Sequence, residues 1–275
     1  MSVSKPDIPE FTPPDTTGLY SGNRLQRLFD EMSGSYGFVN FVSSFGFTRR
    51  WRRQCVELAE IEPGQSVCDL MTGMGECWDE IRRRQRSEPS GRAAELLAVD
   101  FSPVMCAVAQ GRLPADSNTN SSAGSGDAYS NVRVLEADVF RMLDRPGDGY
   151  RERFDRIVCG FGLKTLAPER YGELAALVRD LLKPGGRFAF VEISVPRLRF
   201  LRAPLLFYLR WIIPIIGKLC MGNPDNYRML GIYTRAFGNA RPLLPAFQEA
   251  GLPDTHYREL FGGAATAIYG SKAVA

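Results

Sequence analysis

A chain of 275 residues is long enough for one large domain, and 44% hydrophobic and 24% charged residues are ordinary values for a globular protein. Its formal net charge of +3 is too small to require a nucleic-acid partner, and we predict none. Basic residues do cluster at Arg49, Arg50, Arg52 and Arg53, a pattern that usually lies on a solvated helix face.

Cysteine and histidine usage argues against a disulfide scaffold and against a metal centre. The six cysteines are widely spaced, include no Cys-x-x-Cys pair, and are typical of reduced cytosolic thiols. His256 is the one histidine, which we interpret as surface or structural, and no carboxylate cluster has metal-ligand spacing. We therefore predict no metal and a cytoplasmic protein. Contact with a membrane surface and a homodimer both stay open.

The N-terminal part divides into two segments. Residues 1–23 are proline-rich and lack the apolar core of a signal peptide, so we predict a flexible tail. The main domain is expected over 24–275. Its first part, 24–60, has apolar residues at helical intervals interrupted by glycines, which predicts a helical cap.

A strand, a glycine turn and a helix follow the cap. The apolar run 66–71 predicts the strand, Gly73 and Gly75 the turn, and residues 76–85 the helix. A second strand is predicted at 96–99, and Ser102-Pro103 after it is typical of a helix start.

The rest of the chain continues the alternation of strands and helices. Residues 111–131 are of low complexity and predict a disordered surface insertion. Further strands are predicted at 132–136, 156–161 and 187–193, with a helix at 171–182. This alternation predicts an α/β fold with a largely parallel sheet, whose ligands bind at the carboxyl ends of the strands.

Residues 197–240 form an unusual helical segment. The apolar run from Leu201 to Ile216 is interrupted by arginines, and it is too short and too charged to span a bilayer. Such a pattern suits a helix that covers an apolar acceptor or lies on a membrane surface. A lid helix packed on the sheet is the competing interpretation.

Three acids follow three successive predicted strands and carry the first indication of chemistry. Asp69, Asp100 and Asp138 are expected at one edge of the sheet, beside the glycine turn. Carboxylates there can accept from ribose hydroxyls, an adenine amino group and an ammonium group, which are the needs of an adenosyl amino acid. A dinucleotide site would want a third glycine after Gly75, which is absent. Each acid taken singly could instead be a helix cap.

Ordered motifs along most of the chain, from Leu25 to Lys272, carry a family resemblance. They are residues 28–40, Arg50-Trp51-Arg52-Arg53, the glycine turn, and residues 160–164, 182–187, 191–196, 225–230 and 260–263. Together they resemble the UbiE/COQ5 (MenG) family of quinone-biosynthesis C-methyltransferases.

The resemblance implies a class I methyltransferase with a Rossmann-like fold and a mostly parallel seven-stranded sheet. It also implies that S-adenosylmethionine is the cofactor and that a prenylated quinol or a related small apolar aromatic is the acceptor. The implied cofactor-binding residues are Asp69, Gly73, Met74, Gly75, Asp100, Phe101, Asp138, Val139 and Gly160.

Candidate catalytic residues come from the same motifs. We expect Lys164 to stabilise a phenolate, Tyr36 to act as an acid-base or orienting hydroxyl, and Asn40 to position the acceptor. Tyr227 and Arg228 are predicted to belong to the acceptor site. Gly37, Lys164 and Thr165 depart from the family pattern, so a non-methylating reaction on the same fold stays an alternative. A non-catalytic lipid- or quinone-binding accessory protein is another.

Overall fold

The computed structural model describes residue 20 and residues 46–85, 94–113, 131–144, 149–196, 198–212 and 224–274. The predicted tail at 1–23, apart from Tyr20, lies outside the described residues. So do residues 24–45 of the predicted cap, 114–130 of the predicted insertion and 213–223 of the predicted acceptor-covering segment.

Seven strands in the described residues pair into a single sheet. They are β1 (Val67–Leu70), β2 (Leu96–Asp100), β3 (Val132–Glu136), β4 (Phe154–Gly160), β5 (Leu182–Ile193), β6 (Asp254–Leu260) and β7 (Ala265–Ser271). Their order across the sheet is β3-β2-β1-β4-β5-β7-β6. Strands β1 to β5 are parallel, and β7 is antiparallel to both β5 and β6. The predicted fold class, a mostly parallel seven-stranded α/β sheet, is confirmed.

Helices cover both faces of this sheet. The helices in the described residues are α1 (Phe47–Leu58), α2 (Trp78–Gln85), α3 (Pro103–Gln110), α4 (Tyr171–Leu181), α5 (Arg199–Phe207), α6 (Pro224–Phe237) and α7 (Leu243–Glu249). Side chains of α4 and α7 belong to the core on one face, and those of α1 and α2 to the core on the other. Every residue of β1 and β2 is buried because the sheet is covered on both faces, and all of these residues except Asp69 and Asp100 are apolar.

Most of the predicted elements occur close to their expected bounds. Strand β3 has the predicted limits, and α3 begins with Pro103 after Ser102, whose side chain accepts from the N–H of Met105. Strand β5 begins at Leu182 instead of at residue 187, because Leu182 already pairs with Phe154 ahead of an irregularity in the ladder. The sequence patterns predict no strand where β6 and β7 form.

The predicted segment at 197–240 is helical where it is described. Helix α5 continues into a π-helical turn at Tyr208–Ile212. Helix α6 packs beside the short 3₁₀ turn Leu163–Thr165, which follows β4. None of the described helices combines the length and the apolarity needed to cross a membrane.

Candidate functional site

The turn after β1 brings the backbone close to the carboxyl end of the sheet. Met71, Gly73 and Gly75 have φ values of 53°, 59° and 80°, in the left-handed region. At Gly75 an added Cβ would lie 2.5 Å from the Trp78 ring, so the turn needs a glycine there both for its conformation and for space. The buried Trp78 thus fixes the path of the turn.

Asp69 is linked to this turn by a hydrogen bond from Thr72. The indole Nε1 of Trp78 donates to Thr72 Oγ1 at 2.9 Å, and the Thr72 hydroxyl donates to Asp69 Oδ2. Asp69 Oδ1 has no hydrogen-bond partner in the described part of the chain. Burial raises the pKa of Asp69 to about 7, although the hydrogen bond from Thr72 lowers it. Asp69 is therefore a carboxyl group beneath the turn, and it is poised to titrate near neutral pH.

Asp100 ties the glycine turn to the end of β2. Its Oδ2 accepts from the N–H of Gly73 at 2.8 Å, and its Oδ1 accepts from the N–H of Ser102 at 3.0 Å. Burial raises the pKa of Asp100, and these two N–H groups act against that rise. The N–H of Phe101 also bonds this carboxylate, whose two oxygens together have four lone pairs and can still accept from a ligand hydroxyl.

Two adjoining cavities lie along this edge of the sheet, and we call them together the cofactor cleft. Met71, Phe101 and Thr165 line both cavities. The first, of about 50 Å³, is also lined by Arg52, Thr72, Gly73, Glu76, Asp100, Met105, Gly160, Phe161 and Gly162. The second, of about 160 Å³, is also lined by Tyr20, Ala137, Asp138, Val139, Phe140, Leu166, Ala167 and Arg170.

Charged side chains line much of the first cavity, and mostly apolar side chains line the second. Arg52 Nη2 lies 3.2 Å from Glu76 Oε1, and the Arg52 guanidinium lies 4.9 Å from the centre of the Phe161 ring. In the second cavity Asp138 is exposed, and its Oδ1 accepts from the N–H of Phe140 at 3.1 Å. The cleft therefore has a cation and carboxylates in its first cavity and an acid beside Val139 and Phe140 in its second.

Lys164 lies behind the wall of the cleft. Its Nζ donates to Glu192 Oε1 at 2.9 Å and to the carbonyl of Phe161 at 2.8 Å, and both charged side chains are buried. Phe161 has a φ of 71°, a strained value for a bulky residue. The Lys164–Glu192 pair thus holds a strained residue whose side chain lines the cleft. The predicted contact of Lys164 with a phenolate stays a prediction.

The structure brings most of the predicted cofactor residues together. Gly73, Asp100, Phe101 and Gly160 line the first cavity, and Phe101, Asp138 and Val139 line the second. Asp69, Met74 and Gly75 shape the turn and are absent from the described linings of both cavities. Tyr36 and Asn40 lie outside the described residues, and α6 carries Tyr227 and Arg228, whose side chains are not described.

Several residues that line the cleft are not among the site residues predicted from the sequence. Arg52 was assigned to a solvated helix face, and it instead reaches the cleft from α1, with 12% of its side chain exposed. Glu76 directly follows the glycine turn and Phe161 lies in the motif at residues 160–164, but neither residue was predicted to have a role at the site. Tyr20 fell in the predicted flexible tail, yet its ring lies 6.1 Å from that of Tyr233 and it lines the second cavity. The available signal for Glu76 was its place directly after Gly75, whereas no local signal linked Arg52 to the turn.

Comparison with known proteins identifies the family of this chain. The model of the ubiE/COQ5 methyltransferase family matches residues 19–272. The chain belongs to the ubiE/COQ5 methyltransferase family. This family member is 29% identical to the Geobacter sulfurreducens ubiquinone/menaquinone biosynthesis C-methyltransferase UbiE, over 91% of its own chain and 89% of that relative. It is 27% identical to a Lactiplantibacillus plantarum demethylmenaquinone methyltransferase, over 91% and 96% of the two chains.

Solved structures show the same fold at low identity. A SAM-dependent methyltransferase from Aquifex aeolicus superposes with a TM-score of 0.50 at 14% identity, covering 95% of this chain and 99% of that one. A Methanococcus maripaludis protein described as an S-adenosyl-L-methionine-dependent methyltransferase gives 0.53 at 16% identity, covering 100% and 98%. Both agree with the Rossmann-like sheet described above.

The cleft of this family member fits S-adenosylmethionine, the cofactor that its family and fold imply. The Asp100 carboxylate suits a diol, and Arg52 with Glu76 suits the two charges of an amino acid. Phe101 and Val139 offer an apolar surface for a flat base, beside the acid Asp138. These properties belong to one cleft: the charged pair and Asp100 line its first cavity, Asp138 and Val139 line its second, and Phe101 lines both.

Proposed function

We propose that this protein transfers the methyl group of S-adenosylmethionine to a ring carbon of a prenylated quinol or a related apolar aromatic. The observation that carries the proposal is the cofactor cleft. Its first cavity is lined by the Arg52–Glu76 pair and by Asp100, which accepts from the N–H of Gly73, and its adjoining second cavity is lined by Asp138. Family membership supplies the methyl transfer, and the names of the relatives supply the quinone class of acceptor.

Each part of the cleft has a proposed task. Asp100 accepts from the two ribose hydroxyls while it holds the glycine turn in place. Arg52 receives the carboxylate of the methionine part, and Glu76 accepts from its ammonium group. Asp138 accepts from the adenine amino group, and Phe101 and Val139 enclose the base.

Carbon methylation asks little covalent chemistry of the protein. When bound, the cofactor supplies an electrophilic methyl group on a sulfonium. The chain must align the acceptor carbon with that methyl, and it must keep a phenol partly deprotonated so that the ring is electron-rich. We assign the alignment to Asn40, Tyr227 and Arg228, and the proton transfer to Tyr36.

We assign Lys164 a positioning role. Its ammonium group is engaged by Glu192 and by the carbonyl of Phe161, and it keeps the Phe161 ring at the wall of the cleft. Removal of Lys164 therefore disturbs cofactor binding as well as turnover.

A labelled-methyl assay tests the proposed reaction. The purified protein is incubated with methyl-labelled S-adenosylmethionine and a short-chain prenylated naphthoquinol or benzoquinol, and the products are separated and identified. Label on a ring carbon of the quinol supports the proposal. Cofactor binding without label in any quinol, or in any component of a lipid extract supplied in parallel, would favour a non-methylating reaction. Failure to bind S-adenosylhomocysteine at all would reject the cofactor assignment.

We also propose that α5 and the π-helical turn rest on an anionic phospholipid surface, from which the apolar acceptor is taken. Phe200, Phe207 and Trp211 have 70%, 59% and 54% of their surfaces exposed. Phe200 and Phe207 are two helical turns apart and therefore share one face of α5. Arg202 is exposed on the same helix, and aromatic side chains beside arginines suit the headgroup region of a bilayer.

Vesicle sedimentation tests this surface. Wild-type protein is expected to sediment with phosphatidylcholine vesicles that contain phosphatidylglycerol, and much less with phosphatidylcholine alone. Serine at Phe200 and Phe207 together is expected to lower binding about tenfold, since two apolar anchors are lost. Serine at Val108, an exposed apolar residue of α3, serves as the control. Equal binding of all three proteins would contradict the proposed surface.

A further inference from the structure

A second and larger cleft adjoins the cofactor cleft at Arg52 and Glu76. It has a volume of about 620 Å³ and lies between α1 and α2. We call it the arginine cleft, and its described lining is Gly46, Thr48, Arg49, Arg50, Arg52, Arg53, Glu76, Asp79, Glu80, Arg83 and Arg112. The tasks proposed above leave this space unused apart from Arg52 and Glu76.

The lining has a strong surplus of positive charge. Six arginines face three carboxylates, and each of these acids pairs with an arginine of the lining: Glu76 with Arg52, Asp79 with Arg112, and Glu80 with Arg83. Glu80 also lies 3.5 Å from Arg84, which is outside the lining. A fourth arginine, Arg53, pairs with Glu57 at 3.2 Å. The surplus is therefore concentrated on the two arginines at the start of α1.

Arg49 and Arg50 are the arginines that the protein leaves available. Both side chains are exposed, and neither forms a hydrogen bond or an ion pair with another residue of the described part of the chain. They lie in the first turn of α1, a helix that has no acidic residue in that turn and no side-chain cap at Gly46. The amino end of a helix favours an anion, and its unsatisfied N–H groups can bind one.

We infer that the arginine cleft binds a ligand that carries a phosphate or diphosphate group. A carboxylate is satisfied by a single guanidinium fork, whereas several arginines, two of them without an acidic partner among the residues that the structure describes, match an anion with several oxygens and more than one charge. The volume exceeds that of a single phosphate, so the bound group is expected to belong to a larger molecule.

This inference goes beyond the proposed methyl transfer and does not rest on it. Two sources share the chemistry: a soluble phosphorylated metabolite and the headgroup of a phospholipid. Since Phe47 at the start of α1 contacts the exposed Phe261, with tilted rings whose centres lie 4.5 Å apart, the arginine cleft borders an apolar part of the surface. Both sources are therefore tested.

Isothermal titration tests the site on the full chain, with pyrophosphate as one probe and monomeric dihexanoyl phosphatidylglycerol as the other. We compare wild type, the double variant Arg49→Gln/Arg50→Gln, and a control, Arg151→Gln/Arg258→Gln, which removes two exposed arginines elsewhere. The Arg49 and Arg50 variant is expected to lose at least about tenfold in affinity, and the control less than about twofold. All three proteins are expected to melt alike, because the substituted side chains are exposed.

The outcomes separate as follows. Loss confined to the Arg49 and Arg50 variant supports the site, and the probe that binds tighter identifies the source. Equal affinity in wild type and that variant overturns the inference, and so does an equal loss in both double variants, since that reports net charge alone. S-adenosylhomocysteine binding is measured on the same proteins. A protein that binds it but not the phosphate probes refutes the arginine cleft and leaves the proposed methyl transfer intact.

Discussion

Lys164 Nζ lies 2.9 Å from Glu192 Oε1 in the interior, with 4% and 0% of the two side chains exposed. The Glu192 carboxylate also accepts from the N–H groups of Lys164 and Ile193, so it has several partners besides the ammonium. A buried pair of this kind adds little net stability, but a lone charge left behind is costly. The pair instead serves to position Phe161, whose carbonyl accepts a hydrogen bond from the same Nζ.

Lys164→Met is expected to lower the free energy of unfolding by about 3 to 5 kcal/mol, because it strands the Glu192 carboxylate in the core. Lys183→Met is the matched control, since Lys183 pairs with Asp155 at 2.8 Å where both side chains are partly exposed. That change is expected to cost about 1 kcal/mol or less. Denaturant titration measures both, and an equal cost for the two variants would contradict the buried pair.

The same variant separates a positioning role from direct contact with the acceptor. If Lys164 holds Phe161, Lys164→Met is expected to weaken S-adenosylhomocysteine binding about tenfold, because Phe161 loses the bond that offsets its strain. A lysine that touches only a phenolate would change turnover and leave this affinity alone. Isothermal titration of S-adenosylhomocysteine, done at a temperature where the variant is folded, makes the distinction.

Local sequence patterns were sufficient for the frame of this site. The strand ends that carry Asp69, Asp100 and Asp138 are set by short apolar runs, and Ser102-Pro103 marks a helix start through local hydrogen bonding. Each signal is complete within a few residues. For that reason the glycine turn and Asp100 could be placed together without a structure.

The pairings across the fold could not be predicted in that way. Lys164 and Glu192 are 28 residues apart, and Arg52 and Glu76 are 24 apart. Neither pair has a local pattern that links its members. The pairing of β4 with β5 brings Lys164 to Glu192, and the packing of α1 beside α2 brings Arg52 to Glu76. Strand β6 was missed since its exposed residues at an edge of the sheet dilute the apolar signal.

Asp100→Ala is expected to weaken S-adenosylhomocysteine binding about a hundredfold. It removes the proposed ribose acceptor and also frees the N–H of Gly73, and charge-assisted hydrogen bonds contribute about 1.5 to 3 kcal/mol each. Asp138→Ala is expected to weaken S-adenosylhomocysteine binding about tenfold or less, because Asp138 is exposed. Asp144→Ala, at the end of the 3₁₀ helix Val139–Asp144 that follows Asp138, is the control and is expected to leave the affinity unchanged. Unchanged affinity in Asp100→Ala would remove the basis of the cofactor assignment.

Gly75→Ala is expected to destabilise the protein by about 2 to 4 kcal/mol, through a left-handed backbone and overlap with the Trp78 ring. Gly64→Ala provides the comparison. Gly64 has nearly the same φ, 77° against 80°, but nothing lies within 4 Å of an added Cβ. The difference between the two variants in thermal or denaturant unfolding measures the clash alone. Equal costs would mean that Trp78 does not constrain the turn.

Asp69 gives the fold a pH dependence of defined sign. Its pKa is raised from 3.8 to about 7 by burial, so the folded state holds this proton more tightly than the unfolded state does. Stability from this group is therefore full at low pH and is lost as the pH rises from about 4 to about 7. Asp155 behaves in the opposite way. Burial raises its pKa, but hydrogen bonds from Lys183 and Ser66 lower the pKa overall, to below 3.8. Stability from this group is therefore present above about pH 4 and is lost as the pH falls further.

Asp69→Asn removes the titration while an amide oxygen can still accept from Thr72. Between about pH 5 and about pH 8, wild type is expected to lose roughly 3 kcal/mol of unfolding free energy relative to this variant. Asp155→Asn is expected to track wild type over the same interval, because its window lies at lower pH. Denaturant titrations of the three proteins at both pH values give the comparison. Parallel behaviour of wild type and Asp69→Asn would show that the carboxyl beneath the glycine turn is already ionised at about pH 5, with water or a neighbouring group supplying the partner that Oδ1 lacks.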